Sequence, residues 1–408
     1  MNSVTTPPTK NRSVLLTLFA VVLVDICGYT IVLPMLPFYS ESMGATPFID
    51  GSIVSHFAVS QKISSPILGR LSDRYGRRPI LIISQLGTLA SFIVLAEAKV
   101  LWMVILARVI DGLTAGNITV AQAYVADVTS REERTKAMGL IGAAFGIGFV
   151  LGPSLSAFFS GWSPQAPIWA ACVLSSGAIA GSFFFLKDSR KHLSADNQGS
   201  SDDRPTMLAL FRNPTLRWPL LSFFSFSLGF SLLISGVALF SERVLTWNGH
   251  AFGQREVGWI FTMGGAIGLI IQTKLIGPSV RNKGEKFVAS LAFSAMAIGF
   301  VFIGSSSFLW LFLIGYAILQ MGSSFVRPTL NGLISKCAPR GAQGLIFGVT
   351  QTLMALTQII APLLSGALIE AGLYRMWAWL GALVGLAGLI LISVSQKASS
   401  NKIPFPKK

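Results

Sequence analysis

The sequence predicts an all-α polytopic membrane protein, with twelve transmembrane helices arranged as two pseudo-symmetric six-helix bundles. Three observations carry this. The 408-residue chain is 52% hydrophobic and only 12% charged, with a mean hydropathy of +0.64, too apolar for a water-soluble chain of this length. One apolar run follows another, each close to the roughly 20 residues a helix needs to cross about 30 Å of hydrocarbon. The two halves also repeat at a nearly constant spacing.

The runs place spans at 13–38, 48–69, 79–97, 100–125, 136–160, 165–187, 216–241, 253–277, 286–305, 308–334, 342–368 and 373–395. Gly (40) and Pro (19) fall inside them, which membrane helices tolerate and soluble helices mostly do not. The first run is too long for a cleaved signal peptide, and no small-residue cleavage site follows it. Cys27, Cys172 and Cys337 are far apart and suggest neither a disulfide nor a metal framework. His56, His192 and His250 are the only histidines, and none clusters with acids, so the spans offer no enzymatic constellation.

A net charge of +15 invites a nucleic-acid partner, but topology accounts for it. Of the 32 Lys and Arg, only Lys99, Arg243, Arg255 and Arg375 fall in or beside the loops opposite the termini, and Lys62, Arg108 and Arg327 fall well inside spans. The remainder lie on the side of the termini. This is the positive-inside pattern, and it places both termini in the cytoplasm. No nucleic-acid partner is expected.

The polar stretch between the sixth and seventh spans includes the acidic run Ala195–Asp203 and reads as a cytoplasmic linker. The organisation expected is an N-terminal bundle at 1–187, a linker at 188–215 and a C-terminal bundle at 216–408. Across that linker Gly69 and Gly76 match Gly277 and Gly284 at an offset of 208. Arg131, Gly139 and Pro153 match Arg340, Gly348 and Pro362 at 209. Repeated six-span halves imply a substrate site near the membrane midplane.

Four motifs then stand out. The loop after the second span reads Gly69-Arg-Leu-Ser-Asp73-Arg-Tyr-Gly76-Arg77-Arg78. The first span contains Asp25-Ile-Cys-Gly28 and, further on, Pro34-Met-Leu-Pro37. The fourth contains Arg108-Val-Ile-Asp111-Gly112, with Ala126-Asp127 at its cytoplasmic end. The fifth contains Gly139, Gly148, Gly152 and Pro153. With these motifs the chain resembles the major facilitator superfamily, and within it the twelve-span drug/proton antiporters, closest to the tetracycline/proton antiporters. The resemblance covers essentially the whole chain. It departs from the tetracycline branch at three polar positions, where this chain has Ser91, Gly268 and Met296.

The resemblance implies a cytoplasmic gate built on Gly69, Asp73, Gly76, Arg77 and Asp127. On the residues alone, the arginines of that loop could equally serve only to set topology. Glycines at Gly148 and Gly152, with Pro153, line one face of the fifth span, where they admit close approach and bending. Charged groups at membrane depth cost several kcal/mol unless paired or wetted. Asp25 lies about 18 Å from the cytoplasmic end of its helix, and Asp111 lies at a similar level. Arg108 is one turn from Asp111 on the same face. These three form either a proton-coupling site of net charge −1, or 0 with a proton bound, or a static Asp–Arg pair joining helices. Arg327 stands apart, and either binds an anionic group, satisfies a carbonyl that Pro328 frees, or reaches toward the interface. Phe57, Gln61, Phe223, Asn331 and Gln351 are further candidates to line a substrate cavity.

The expectation is proton-coupled efflux of small amphipathic organic compounds by alternating access, with tetracycline-like molecules among the candidates. The proton gradient supplies the energy, without cofactor or metal. The protein would sit as a multi-pass monomer in the cell (inner) membrane, with substrate, protons and lipid as its partners. The same motifs would serve an exporter of one endogenous metabolite or siderophore. A non-transporting membrane sensor is the reading from another class.

Overall fold

The computed structural model describes residues 9–129, 131–186, 213–337 and 343–400. The linker expected at 188–215 lies almost wholly outside these residues, as does Arg340 of the repeat. The described chain is helical, apart from a two-stranded ribbon of Thr246–Trp247 and His250–Ala251. In chain order the helices are α1 (Thr9–Glu41), α2 (Pro47–Tyr75), α3 (Arg77–Ala96), α4 (Leu101–Thr114), α5 (Asn117–Val128), α6 (Arg131–Phe159) and α7 (Ala166–Phe185). They continue with α8 (Pro214–Val244), α9 (Gln254–Ile270), α10 (Ile276–Lys283), α11 (Glu285–Gly304), α12 (Leu309–Cys337), α13 (Gln343–Glu370) and α14 (Tyr374–Ser400). Among the described residues, eleven segments are long and apolar enough to cross a membrane. The helix that falls short is α2, where serines, Gln61 and Lys62 dilute the apolar run.

Two predicted spans are not simple helices. The fourth breaks at Ala115 and Gly116 into α4 and α5. The eighth passes through a π-helical turn, Ile271–Leu275, between α9 and α10. Proline, by contrast, does not interrupt α6, which runs on through Pro153.

The described residues fall into two compact units, one from Met1–Ala195 with Gly253–Gly265, the other from Asp196–Phe252 with Ala266–Lys408. The start of α9 thus belongs with the first unit, although the hydropathy pattern assigns it to the second half. Small residues explain this. A Cβ on Gly258 would meet Ala157 of α6, and one on Gly265 would meet the carbonyl of Phe149. That is the carbonyl whose helical partner Pro153 removes. The Ser154 and Thr262 hydroxyls bond at 3.2 Å.

Two apolar clusters hold the first unit together. One joins Leu18, Val22, Leu81, Val120 and Ile141; the other joins Ile31, Met35, Phe92, Val104 and Ile168. In chain order Asp25, Gln85, Thr88 and Asn117 fall between members of the two clusters, so a polar level separates them. The second unit has its own core around Phe223, Phe293, Met296, Leu330 and Val349.

Candidate functional site

Helix α4 sets the site. Gly112 lets it cross α2 closely, since a Cβ there would lie 2.6 Å from the Phe57 carbonyl oxygen. The Ser64 hydroxyl donates to the Gly112 carbonyl at 2.8 Å and fixes the crossing. Within one turn of α4, Arg108 Nη1 bonds Asp111 Oδ2 at 3.1 Å. The two residues are 3% and 5% exposed, so this charge pair is sealed inside the unit. The guanidinium also lies 5.9 Å from the centre of the Phe57 ring, and that ring stacks on Tyr29 at 5.6 Å. Thr88 and Ser91 of α3 lie beside the Asp111 carboxylate, and the Ser91 hydroxyl donates to the Thr88 carbonyl at 2.8 Å. Ser91, one of the departures from the tetracycline branch, therefore sits beside an acid that α4 supplies.

Asp25 is not part of that ion pair. Its Oδ1 accepts a hydrogen bond from Asn117 Nδ2 at 2.7 Å, and among the described residues no cation pairs with it. The break at Ala115 and Gly116 makes Asn117 the first residue of α5 and turns its amide toward α1. The expected Asp25–Arg108–Asp111 triad resolves into two neighbouring pairs, Arg108–Asp111 and Asp25–Asn117. Asn117 escaped the sequence reading. A lone asparagine within an apolar run was the signal for it.

The loop after α2 turns at Gly76, whose φ of 100° and ψ of 153° lie in a region closed to side chains. Arg77 is the hub there. Its Nη1 bonds Asp73 Oδ1 at 2.5 Å and Ser72 Oγ at 2.7 Å, and its Nε bonds Asp127 Oδ2 at 2.9 Å. The gate candidates Asp73, Arg77 and Asp127 are thus one network tying the loop to the end of α5. Gly69 has open space around its Cα and makes no close helix approach. Arg78 is held separately, donating to the Phe183 carbonyl of α7 at 2.6 Å.

The second unit repeats this arrangement with the charges exchanged. Gly284, at the offset of Gly76, has φ 78° and ψ 154°. Glu285 follows it as Arg77 follows Gly76, and pairs with Lys336 of α12 at 2.9 Å. Lys336 stands 209 residues beyond Asp127.

On α6, Gly148 and Gly152 are needed for close approach to α1. A Cβ on Gly148 would meet Ile26 at 2.6 Å, and one on Gly152 would meet Thr30 and the Cys27 carbonyl. Thr30 Oγ1 lies 3.0 Å from the Gly148 carbonyl and 2.7 Å from that of Ile26. Gly139 has nothing within 4 Å.

The remaining cavity candidates separate. Phe223, only 3% exposed, packs into the core of the second unit, so it is corrected from a cavity-lining to a core residue. Phe57 and Gln61 are half-buried, while Arg327, Asn331 and Gln351 are exposed. A pocket of ≈ 330 Å³ in the second unit is lined by Ile276, Arg281, Glu285 and Thr329 among others, and by none of these candidates. Met296 is fully buried in the apolar core, and Gly268 packs beside the Ser324 hydroxyl. Neither position offers a titratable group. Among the described residues no group of three His, Cys, Asp or Glu could hold a metal ion.

Comparison with known proteins matches residues 18–362 and 284–408 to the family described as the Major Facilitator Superfamily. The chain is 29% identical over 391 residues to the tetracycline resistance protein, class H, of Pasteurella multocida, covering 94% of each. It is 28% identical over 399 residues to multidrug resistance protein 2 of Bacillus subtilis (strain 168), covering 95% of this chain and 97% of that one. Among solved structures it resembles the human organic anion transporter MFSD10 (TETRAN) with a TM-score of 0.68 at 22% identity. That match covers 95% of this chain and 100% of the other.

Proposed function

The chain belongs to the Major Facilitator Superfamily, and from that premise we propose that it exports small amphipathic organic compounds in exchange for protons. It is a multi-pass membrane transporter of small molecules, of a family that is not enzymatic. Proton antiport, drug-like substrates, a monomeric working unit and cytoplasmic termini are the finer parts of the proposal. The names of the tetracycline and multidrug resistance relatives support drug-like substrates, and tetracycline belongs in the panel tested.

The observation that carries the coupling is the inequality of the two acids. Asp111 is balanced by Arg108 in a buried ion pair, and removing that charge would strand a guanidinium in low dielectric. Asp25 is hydrogen-bonded to a neutral amide, and among the described residues no cation pairs with it. It can gain and lose a proton without breaking an ion pair, which is what an exchanged proton requires. Phe57 and Tyr29 adjoin this level, and with the half-buried Gln61 they are the contacts assigned to substrate in the first unit. The exposed Arg327, Asn331 and Gln351 are those assigned in the second.

Reconstituted vesicles with an imposed pH gradient test this. Wild-type protein should move substrate uphill, driven by protons. Asp25→Asn fixes a neutral side chain, so it should abolish pH-driven accumulation while downhill exchange survives without pH dependence. Normal uphill transport by Asp25→Asn would remove Asp25 from coupling.

A further inference from the structure

The polar level of the first unit contains an internal cavity that the transport reading leaves unused. Asp25, Gln85, Thr88, Asn117 and Ser175 line it, with Phe92 on its apolar side. These residues come from α1, α3, α5 and α7, all within the first unit. The space open to the centre of a water molecule is ≈ 10 Å³. That is about what one water needs and too little for anything larger and polar.

Polar atoms around it lack partners. Neither Oε1 nor Nε2 of Gln85 has a hydrogen bond in the protein, and neither does Asn117 Oδ1. The two side chains are 3% and 1% exposed. The bond from Asn117 Nδ2 to Asp25 settles which way that amide faces, so its oxygen is left for another donor. Buried amide atoms without partners are costly, and a site with two to four polar groups and room for one water meets the conditions for an ordered one.

We propose that this cavity is a binding site for a single water molecule, and that Gln85 is the positioning residue that holds it against the Asp25 carboxyl. Gln85 Nε2 donates to the water oxygen, while the water's hydrogens reach the Asp25 carboxylate and Asn117 Oδ1. A sodium ion would fit the oxygen atoms but would leave the Nε2 hydrogens unmet, so the donor set favours water. In functional terms the inference rests on Asp25 as the coupling acid. Asn117 Nδ2 can only donate, so it can serve an oxygen of Asp25 but cannot accept the O–H of the protonated acid. Water donates to a carboxylate and accepts from a carboxylic acid, so it gives Asp25 a partner in both protonation states without moving a side chain.

Two measurements on the full chain in lipid test the site, and neither depends on transport. The first is infrared difference spectroscopy of the Asp25 carboxyl bands, assigned by their loss in Asp25→Asn. Gln85→Leu should shift those bands to the position of a less hydrogen-bonded group, remove their sensitivity to H₂¹⁸O, and slow proton–deuteron exchange roughly fivefold, about the effect of losing one hydrogen bond. Unchanged bands would overturn the proposal. The second is thermal unfolding. If the cavity is dry, Gln85→Leu replaces an unsatisfied amide by an apolar group and raises the midpoint; if water is held there, the midpoint falls. Gln85→Met, which keeps the side chain's length, gives the same readings should the leucine variant fail to fold. Stabilisation by sodium but not by potassium or choline would overturn water in favour of a cation. Normal uphill transport by Asp25→Asn would defeat the coupling reading and leave the water site to these two measurements.

Discussion

Gly152→Ala is the substitution whose cost can be worked from contacts. A Cβ there would fall on Thr30 Oγ1, and 2.9 Å from both Thr30 Cβ and the Cys27 carbonyl oxygen. Two of those three obstacles cannot swing aside, because one is backbone and the other is fixed to it. Thr30 Oγ1 is itself held by the carbonyls of Ile26 and Gly148. The helices α1 and α6 must therefore separate. Overpacking of this kind costs about 1–3 kcal/mol, and losing the buried hydroxyl bond between helices about 1 kcal/mol more. The expected loss is roughly 2–4 kcal/mol, read as a lowered midpoint of thermal or denaturant unfolding in lipid–detergent micelles, together with reduced transport. Gly139→Ala on the same helix is the control. With nothing within 4 Å, it should be neutral or slightly stabilising through helix propensity. Thr30→Ala in the Gly152→Ala background should recover part of the loss, because it removes one of the colliding atoms. The argument fails if Gly152→Ala unfolds and transports like wild type, or if Gly139→Ala is equally damaging.

The other predictions concern orientation and the loop. A reporter fused at Ser194 should read as cytoplasmic and one at Gly249 as the opposite side; exchanged results would refute the topology. Asp73 is half exposed and is one of three partners of Arg77, so Asp73→Asn should change stability by less than about 1 kcal/mol and yet cut transport sharply. Normal transport at wild-type expression would remove Asp73 from the gate. Arg77→Gln, which dissolves the whole network, should lose stability as well.

Hydropathy located the helices because crossing a membrane demands length and apolarity, and both are written along the chain. The ninth predicted span, 286–305, differs from Glu285–Gly304 by one residue at each end. Windowed hydropathy cannot see a single irregular residue, so the break before Asn117 and the π-helical turn at Ile271–Leu275 went unread. Both leave the apolar sum of their spans unchanged. Depth was legible and rotation was not. Counting residues put Asp25, Arg108 and Asp111 at one level, but which atoms meet depends on how each helix is turned about its axis. The break in the fourth span alters that turn, directing Asn117 to Asp25 across 92 residues of sequence. Phe223 failed for a related reason, since an aromatic on a membrane helix reads the same whether it lines a path or fills a core.

The repeat between halves shows what was conserved by geometry rather than by residue type. Gly76 and Gly284 align as glycine, because the positive φ at both admits no other side chain comfortably. The ion pairs do not: Arg77–Asp127 becomes Glu285–Lys336. Either polarity ties a loop to a helix end, so the constraint falls on complementarity and not on sign. The buried acids behave differently. At the same offsets Asp25 falls on Leu233, which is fully buried, and Asp111 on Leu319 or Gln320. No cation–carboxylate pair at membrane depth is found among the described residues of the second unit. A loop tether is cheap at a wet surface and can be kept twice, whereas each carboxylate within the hydrocarbon costs several kcal/mol and persists only where something uses it. That asymmetry supports placing proton exchange in the first unit alone.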